Sequence, residues 1–255
     1  MPHRPPLVLV HGNPGTAAVW GPLLAELGRD DAFTLSPPGF GVPAPDGFEA
    51  TVDGYREWLV RCLGRFREPV DLVGHSLGGA HVAQAVMARP DLVRSWASDA
   101  MGLFAPDYVW HPRAQVWQRE GEGEESVREI YGGTLEQRLA VVNGIGMTGH
   151  AAEGVAAGMG DGMGRAVLSL LRSAAQPVMA DAGRRLELAR RRPGLALVAA
   201  CDEGASAGTP EQHRAAAALA GAEVAELAGV GHWWPVQDPR PAARALTAFW
   251  SRLDG

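Results

Sequence analysis

The sequence predicts an α/β domain with a mostly parallel sheet and a helical block inserted near its middle. Short apolar runs alternate with stretches of helical periodicity along most of the chain, a pattern typical of βαβ units. Between about residues 102 and 192 the alternation stops and only the helical pattern remains. We therefore expect a core of residues 1–101 and 193–255. The insertion, residues 102–192, is expected over the carboxyl ends of the strands, where parallel sheets bind ligands.

Six short apolar runs are the candidate strands of the sheet. The first run, Leu-Val-Leu-Val, suits a strand that is buried on both faces. Thr16 is placed to cap the helix after it, and Thr209 opens a capping box with Gln212. The candidate strands are residues 7–10, 32–35, 70–73, 92–98, 195–200 and 223–227.

Composition limits the classes of function that the chain can serve. A length of 255 residues with 46% hydrophobic residues is enough for one large α/β domain. The net charge of -6 argues against a nucleic-acid-binding protein, and every basic residue is arginine, which excludes lysine-based catalysis. The two cysteines indicate neither a disulfide framework nor a metal pair, and no apolar run reaches membrane length. We expect a cytoplasmic protein without a signal peptide, metal or cofactor, acting on a small molecule; its oligomeric state is not readable.

The strongest chemical signal is the pattern G-x-S-x-G at Gly74–Gly78, between a predicted strand and a predicted helix. In that context the chain turns sharply and presents the serine, here Ser76, as a candidate nucleophile. The glycines keep neighbouring side chains away from the strained turn. A chance match in a glycine-rich chain is the alternative, but the strand and helix on either side disfavour it.

A serine hydroxyl needs a base, and His232 is the best candidate among eight histidines. It follows the last predicted strand, in the chain order serine, acid, histidine. The imidazole in turn needs a carboxylate. Asp202, at the end of the preceding strand, is the preferred acid, while Asp99 and Glu203 stay open as alternatives. Five of the other histidines are assigned to turns (His11, His75), to a helix (His81) or to the insertion (His111, His150).

The negatively charged oxygen of a tetrahedral intermediate needs hydrogen-bond donors. The backbone N–H of Leu77, directly after the nucleophile, is the first candidate. The second is the backbone N–H of Asn13, in the loop after the first strand, and its side-chain amide is a further candidate.

Together these segments resemble the α/β-hydrolase superfamily over nearly the whole chain. Residues 11–15 resemble its HGxP-type oxyanion loop, residues 38–41 its P-G-[FHY]-G turn, and residues 74–78 its nucleophile elbow. The resemblance implies that the insertion is the family's helical cap and that Asp202 and His232 occupy the acid and histidine positions. Only six residues precede the first strand, so we expect a sheet shortened to about six strands. Ser36 stands where many relatives carry Asp, and the acid turn lacks the common glycine.

The identity of the candidate nucleophile limits the types of reaction that the site could catalyse. The HGNP loop is similar to that of haloalkane dehalogenases and epoxide hydrolases, which use an Asp nucleophile, so Ser76 disfavours both reactions. A Ser–His pair suits hydrolysis of esters, lactones and related acyl bonds. Hydrolysis of a C–C bond is an alternative, because Gly231-His232-Trp233 resembles the C–C hydrolases of aromatic degradation. A cyclase, a lyase and a ligand-binding protein with little turnover are further alternatives.

The insertion says little about the substrate. Acidic residues and arginines are equally numerous in it, so we expect a small or medium, mostly apolar acyl substrate. The glycine-rich stretch 144–164 is interpreted as a loose connection, with a mobile lid as the bolder hypothesis. The candidate pocket walls are Trp20, Phe40, Trp110, Trp117, Met147, Met159, Met163, Trp233 and Trp234.

Overall fold

A computed structural model describes residues 4–202 and 206–255 of the chain, and in these ranges the strands form a single sheet. The six predicted strands are all present, with ends within one residue of those expected. They are Leu7–Val10 (β1), Phe33–Leu35 (β2), Val70–Gly74 (β3), Val93–Ser98 (β4), Gly194–Ala199 (β5) and Glu223–Leu227 (β6). All neighbouring strands are parallel, and their order is β2-β1-β3-β4-β5-β6.

The strand order contains one reversal of direction, and this reversal places the site. The chain moves outward from β1 to β2, then returns past β1 to β3 and continues to β6. Because crossovers between parallel strands are right-handed, the helices before and after the reversal lie on opposite faces. The carboxyl ends of β1 and β3 therefore flank a crevice, the usual ligand position in such sheets. Both strands are fully buried; β1 is apolar throughout, and β3 is apolar apart from Asp71.

Twelve α-helices occur in the described ranges, and none is long and apolar enough to span a membrane. Those of the core are Gly21–Leu27 (α1), Val52–Leu63 (α2), Leu77–Ala88 (α3), Pro210–Ala220 (α10), Trp234–Gln237 (α11) and Arg240–Leu253 (α12). Those between β4 and β5 are Pro112–Gln118 (α4), Glu122–Tyr131 (α5), Leu135–Gly144 (α6), Gly149–Gly158 (α7), Asp161–Ser173 (α8) and Val178–Gly183 (α9). Short 3-10 helices cover Ala17–Trp20, Pro90–Leu92, Met101–Phe104 and Leu186–Arg191.

The predicted caps are present, one of them on a different element. Thr209 and Gln212 form the expected capping box of α10, each side chain accepting from the other's backbone N–H. The Thr16 hydroxyl accepts from the Ala18 N–H at 3.3 Å, so it caps the 3-10 helix at Ala17–Trp20. The α-helix begins only after that, at Gly21, because the chain makes a separate turn first.

The interpretation of residues 144–164 as a loose connection is wrong, because α7 occupies the middle of this stretch. Two of its glycines, Gly154 and Gly158, permit close packing. A Cβ atom on Gly154 would lie 2.6 Å from the Cβ of Ala18, and one on Gly158 would lie 2.5 Å from Cγ2 of Thr16. The absence of side chains lets α7 lie directly on the 3-10 helix after β1.

Candidate active site

The turn at Ser76 is the sharp elbow that the motif predicts. The strand β3 ends at Gly74 and α3 begins at Leu77, so the chain reverses within two residues. Ser76 has φ 57° and is the only non-glycine residue of the described ranges with a positive φ. A Cβ atom on Gly74 would lie 2.5 Å from the carbonyl oxygen of Gly78, so the turn requires glycine there. Ser76 is 8% exposed and lines a cavity at the carboxyl ends of the strands.

His232 lines the same cavity and has a carboxylate behind it. Its Nδ1 lies 3.6 Å from Oδ2 of Asp202, and each side chain is 15% exposed. Asp202 also accepts hydrogen bonds from the Ser206 N–H at 3.0 Å and the Ser206 hydroxyl at 3.1 Å. Burial raises the pKa of Asp202, but the hydrogen bonds and the attraction of His232 outweigh it, so the net pKa lies below the ordinary value. The acid is therefore ionised at neutral pH.

Asp99 has a different environment from Asp202. Its Oδ1 accepts the backbone N–H of Ser76 at 2.6 Å, and its Oδ2 accepts the indole N–H of Trp234 at 2.7 Å. Both oxygens are thus engaged by donors other than His232, and the carboxylate braces the elbow. Asp99, the first alternative acid, therefore contacts the elbow and Trp234. Glu203, the second alternative, lies outside the described residues.

His75 links the elbow to the loop of His232. Its Nε2 donates to the carbonyl oxygen of His232 at 2.8 Å, which fixes the backbone of that loop. The ring is fully buried beside Trp20, Trp233 and Trp234. Burial lowers the pKa of His75, so the ring remains neutral. The sequence places His75 in the turn, but no local sequence pattern predicts its hydrogen bond to the carbonyl oxygen of His232.

The loop after β1 approaches the elbow closely. A Cβ atom on Gly12 would lie 2.8 Å from both Ser76 Oγ and the Leu77 backbone nitrogen. Leu77 is the first residue of α3, so its N–H has no partner within the helix. Asn13 lines the cavity, and its side-chain Oδ1 accepts the hydroxyl of Tyr131 at 2.9 Å. The side chain therefore ties this loop to α5 of the insertion.

His11 and Ser36 explain the departure at position 36. The Nε2 of His11 lies 3.0 Å from the Ser36 hydroxyl, so the serine closes the turn with a neutral hydrogen bond. Burial lowers the pKa of His11 to about 4. Because His11 is uncharged, the neutral hydroxyl of Ser36 suits it as a hydrogen-bond partner.

The cavity has a volume of about 150 Å³. It is lined by residues from the loops after β1, β3, β5 and β6 and by residues of the insertion. Three of the predicted wall residues, Trp110, Trp117 and Trp233, line it. The others are buried elsewhere, because core packing competes with the pocket for large apolar side chains. Those absent from its lining are Trp20, Phe40, Met147, Met159, Met163 and Trp234.

Two polar residues of the insertion, His111 and Arg113, also line the cavity. Neither is assigned a role by the sequence. Arg113 is one of many arginines in the insertion, and its spacing does not distinguish it from those on the outer surface. Only the path of the chain between β4 and α4 brings these two side chains to Ser76.

Comparisons with known proteins agree with this architecture. Residues 7–245 match the model of the alpha/beta hydrolase family. The (E)-2-((N-methylformamido)methylene)succinate hydrolase of Acinetobacter baylyi is 31% identical over 94 residues, a match that spans 36% of each chain. A haloalkane dehalogenase variant from Bradyrhizobium elkanii has a TM-score of 0.71 at 16% identity, covering 100% of this chain and 93% of that one. The enol-lactonase from Burkholderia xenovorans has a TM-score of 0.67 at 19% identity, covering 98% and 92%. This chain therefore belongs to the alpha/beta hydrolase family.

Proposed function

We propose that the protein is a cofactor-free serine hydrolase that cleaves a carboxylic ester, lactone or related acyl bond. The observation that carries this proposal is the strained Ser76 in one cavity with His232, whose Nδ1 lies 3.6 Å from Asp202. Nucleophile, base and orienting acid are the three parts that acyl transfer through serine requires.

In the proposed reaction, Ser76 Oγ attacks the substrate carbonyl carbon while His232 accepts the hydroxyl proton. Asp202 holds the imidazole in the required tautomer and stabilises the imidazolium. Collapse of the tetrahedral intermediate transfers the proton to the leaving group and leaves an acyl ester on Ser76. A water molecule, deprotonated by His232, then hydrolyses that ester and restores the serine.

The negatively charged oxygen of each intermediate is proposed to accept the N–H groups of Leu77 and Asn13. Loss of one such donor costs about 3–4 kcal/mol of transition-state stabilisation in serine enzymes. The hydrogen bond from Tyr131 to the Asn13 side chain supports this role, because it restricts the loop that carries the second donor. The segment 102–192 is proposed as the cap that closes the cavity.

A cavity of about 150 Å³ favours a small substrate, since cavities of that volume hold a molecule the size of benzene. The curated relative's name specifies a substituted succinate, which is consistent with a small acyl compound. Hydrolysis of a C–C bond beside a ketone is the second candidate reaction. The position of Trp233 directly after His232, in the lining of the cavity, supports it.

The first test is hydrolysis of p-nitrophenyl esters, acetate through octanoate, by the wild type and by Ser76→Ala. We expect the wild type to prefer the short esters, and Ser76→Ala to lose roughly 10⁴- to 10⁶-fold in kcat. Ser251→Ala is the matched control, because its hydroxyl bonds only to a carbonyl within α12. It should leave kcat unchanged.

Labelling with a fluorophosphonate, located by mass spectrometry, tests the nucleophile independently of the substrate. Labelling at Ser76 without ester turnover would favour the C–C hydrolase. Neither labelling nor turnover would contradict a serine hydrolase altogether.

A further inference from the structure

The lining of the cavity is unbalanced in charge. Among the described residues it contains one arginine, Arg113, and two histidines, His111 and His232, but no aspartate or glutamate. Asp202 lies behind His232 and lines a separate, smaller cavity. In the described part of the lining, a bound molecule therefore meets hydrogen-bond donors and the positive charge of Arg113.

Arg113 has no ion-pair partner within residues 4–202 and 206–255. Other arginines of the insertion are held by protein groups: Arg172 pairs with Glu124, and Arg119 pairs with Glu122. Arg113 is exposed and lines the cavity, so its guanidinium donors are open to a molecule that binds there. The planar guanidinium matches a carboxylate with two parallel hydrogen bonds.

His111 adds a second donor beside Arg113. Its Nδ1 accepts the backbone N–H of Ala114 at 3.3 Å, so the neutral ring carries its proton on Nε2. Burial lowers the pKa of His111, and the charges of His232 and Arg113 lower it further. The ring is therefore a neutral hydrogen-bond donor at pH 7, and it adds no positive charge that would repel Arg113.

From this arrangement we propose that Arg113, assisted by His111, binds a carboxylate of the substrate. The hydrolase then acts on a small acyl compound that carries a second, anionic group. This inference rests on the proposed serine hydrolysis at Ser76. It replaces the mostly apolar substrate that the balanced charges of the insertion predict, because that balance includes surface residues that never face the cavity.

Two methyl esters of matched shape test the proposal. Monomethyl succinate carries a carboxylate where methyl 4-methylpentanoate carries an isopropyl group of similar shape. Hydrolysis of either ester releases one methanol, which is measured by NMR. We expect the wild type to prefer monomethyl succinate about 10- to 100-fold in kcat/KM. Arg113→Gln should abolish this preference, so that its kcat/KM values for the two esters become equal within about twofold.

Arg165→Gln is the matched control, since Arg165 is an exposed arginine of α8 outside the cavity lining. It should leave both esters unaffected. Raising the ionic strength should lower kcat/KM for monomethyl succinate alone, because salt screens the attraction of Arg113. Equal kcat/KM values for the two esters in the wild type would overturn the proposal. A parallel loss for both esters in Arg113→Gln would overturn it as well.

If neither ester is hydrolysed, binding of succinate measured by NMR titration decides. Binding that Arg113→Gln weakens about tenfold or more, and Arg165→Gln does not, supports the carboxylate site even where serine hydrolysis fails. No binding, or equal binding by both variants, overturns it. Fluorophosphonate labelling of Ser76 reports separately on the proposed function.

Discussion

At the scale of single residues, the two aspartates near the elbow have different partners. Asp99 accepts the N–H of Ser76 and the indole N–H of Trp234, whereas Asp202 faces Nδ1 of His232. A non-glycine residue at positive φ costs on the order of 1–3 kcal/mol. A hydrogen bond to a charged acceptor contributes about 1.5–3 kcal/mol, so Asp99 offsets the strain at Ser76.

Substitution of each aspartate by asparagine should separate the two roles. Asp202→Asn should lower kcat about 10⁴-fold with little loss of stability, because an amide favours the wrong imidazole tautomer. Asp99→Asn retains one acceptor oxygen and turns an NH₂ group toward a donor. It should lower kcat about 10- to 100-fold and cost about 1–3 kcal/mol in the free energy of unfolding. Ester hydrolysis and urea unfolding measure both quantities; a larger kcat loss in a fully folded Asp99→Asn would make Asp99 the acid.

The sequence can predict that Ser76, Asp202 and His232 lie near one another because each follows a strand within a few residues, and parallel strands end at one edge of a sheet. It cannot locate the partners of Asp99, since these come from the elbow after β3 and from α11, 23 and 135 residues away along the chain. Arg113 escapes prediction for the same reason. Its role depends on the path of the insertion, which no local pattern encodes.

At the scale of elements, α7 shows that glycine has opposite effects in two neighbouring helices. Gly154 in α7 faces Ala18 at a distance that excludes a Cβ atom, whereas Gly144 at the end of α6 has no atom within 4 Å of its Cβ position. The first glycine is required by packing, and the second only adds freedom to the unfolded chain.

The same substitution at both positions should therefore change stability in opposite directions. Gly144→Ala should raise the free energy of unfolding by about 0.5–1 kcal/mol. Gly154→Ala should lower it by about 1–3 kcal/mol, because α7 must move away from the 3-10 helix. Urea unfolding measures both. Stabilisation by Gly154→Ala would mean that α7 does not pack against Ala18.

This pair also explains why the insertion resists prediction while the sheet does not. The apolar runs of β1 and β3 give an unambiguous strand pattern. Glycine in the stretch 144–164 has two meanings, a flexible turn or a close helix contact, and only the neighbouring element decides between them.

At the scale of the whole molecule, buried histidines set the response to acid. His11, His75, His81 and His213 are all buried, and burial lowers the pKa of each, to about 4 for His11 and about 3 for His81. Protons then bind the unfolded chain, with a pKa near 6.5, more readily than the folded one. The stabilising effect is complete above pH 6.5 and is lost as the pH falls from 6.5 toward 4 and below.

We expect the free energy of unfolding to decline steeply over this range, by up to about 1.4 kcal/mol per pH unit for each such histidine. His81→Phe keeps the stacked ring against Tyr55 but removes the titrating group. Its free energy of unfolding should therefore fall less between pH 6.5 and 4.5. His150→Gln is the control, since that side chain is 97% exposed. Equal slopes for wild type and His81→Phe, measured by urea unfolding, would show that His81 protonates in the folded state.

The approach of Gly12 to the elbow has a consequence for the chemistry of the chain itself. A single methyl group at residue 12 would lie 2.8 Å from both Ser76 Oγ, the proposed nucleophile, and the Leu77 backbone nitrogen, the first proposed oxyanion donor. That volume is the one which the reacting carbonyl oxygen has to enter in the proposed reaction. Any side chain at residue 12 would occupy this volume in every molecule and would exclude the substrate carbonyl oxygen from it. The lack of a side chain at Gly12 thus keeps open the space in which the proposed reaction would take place.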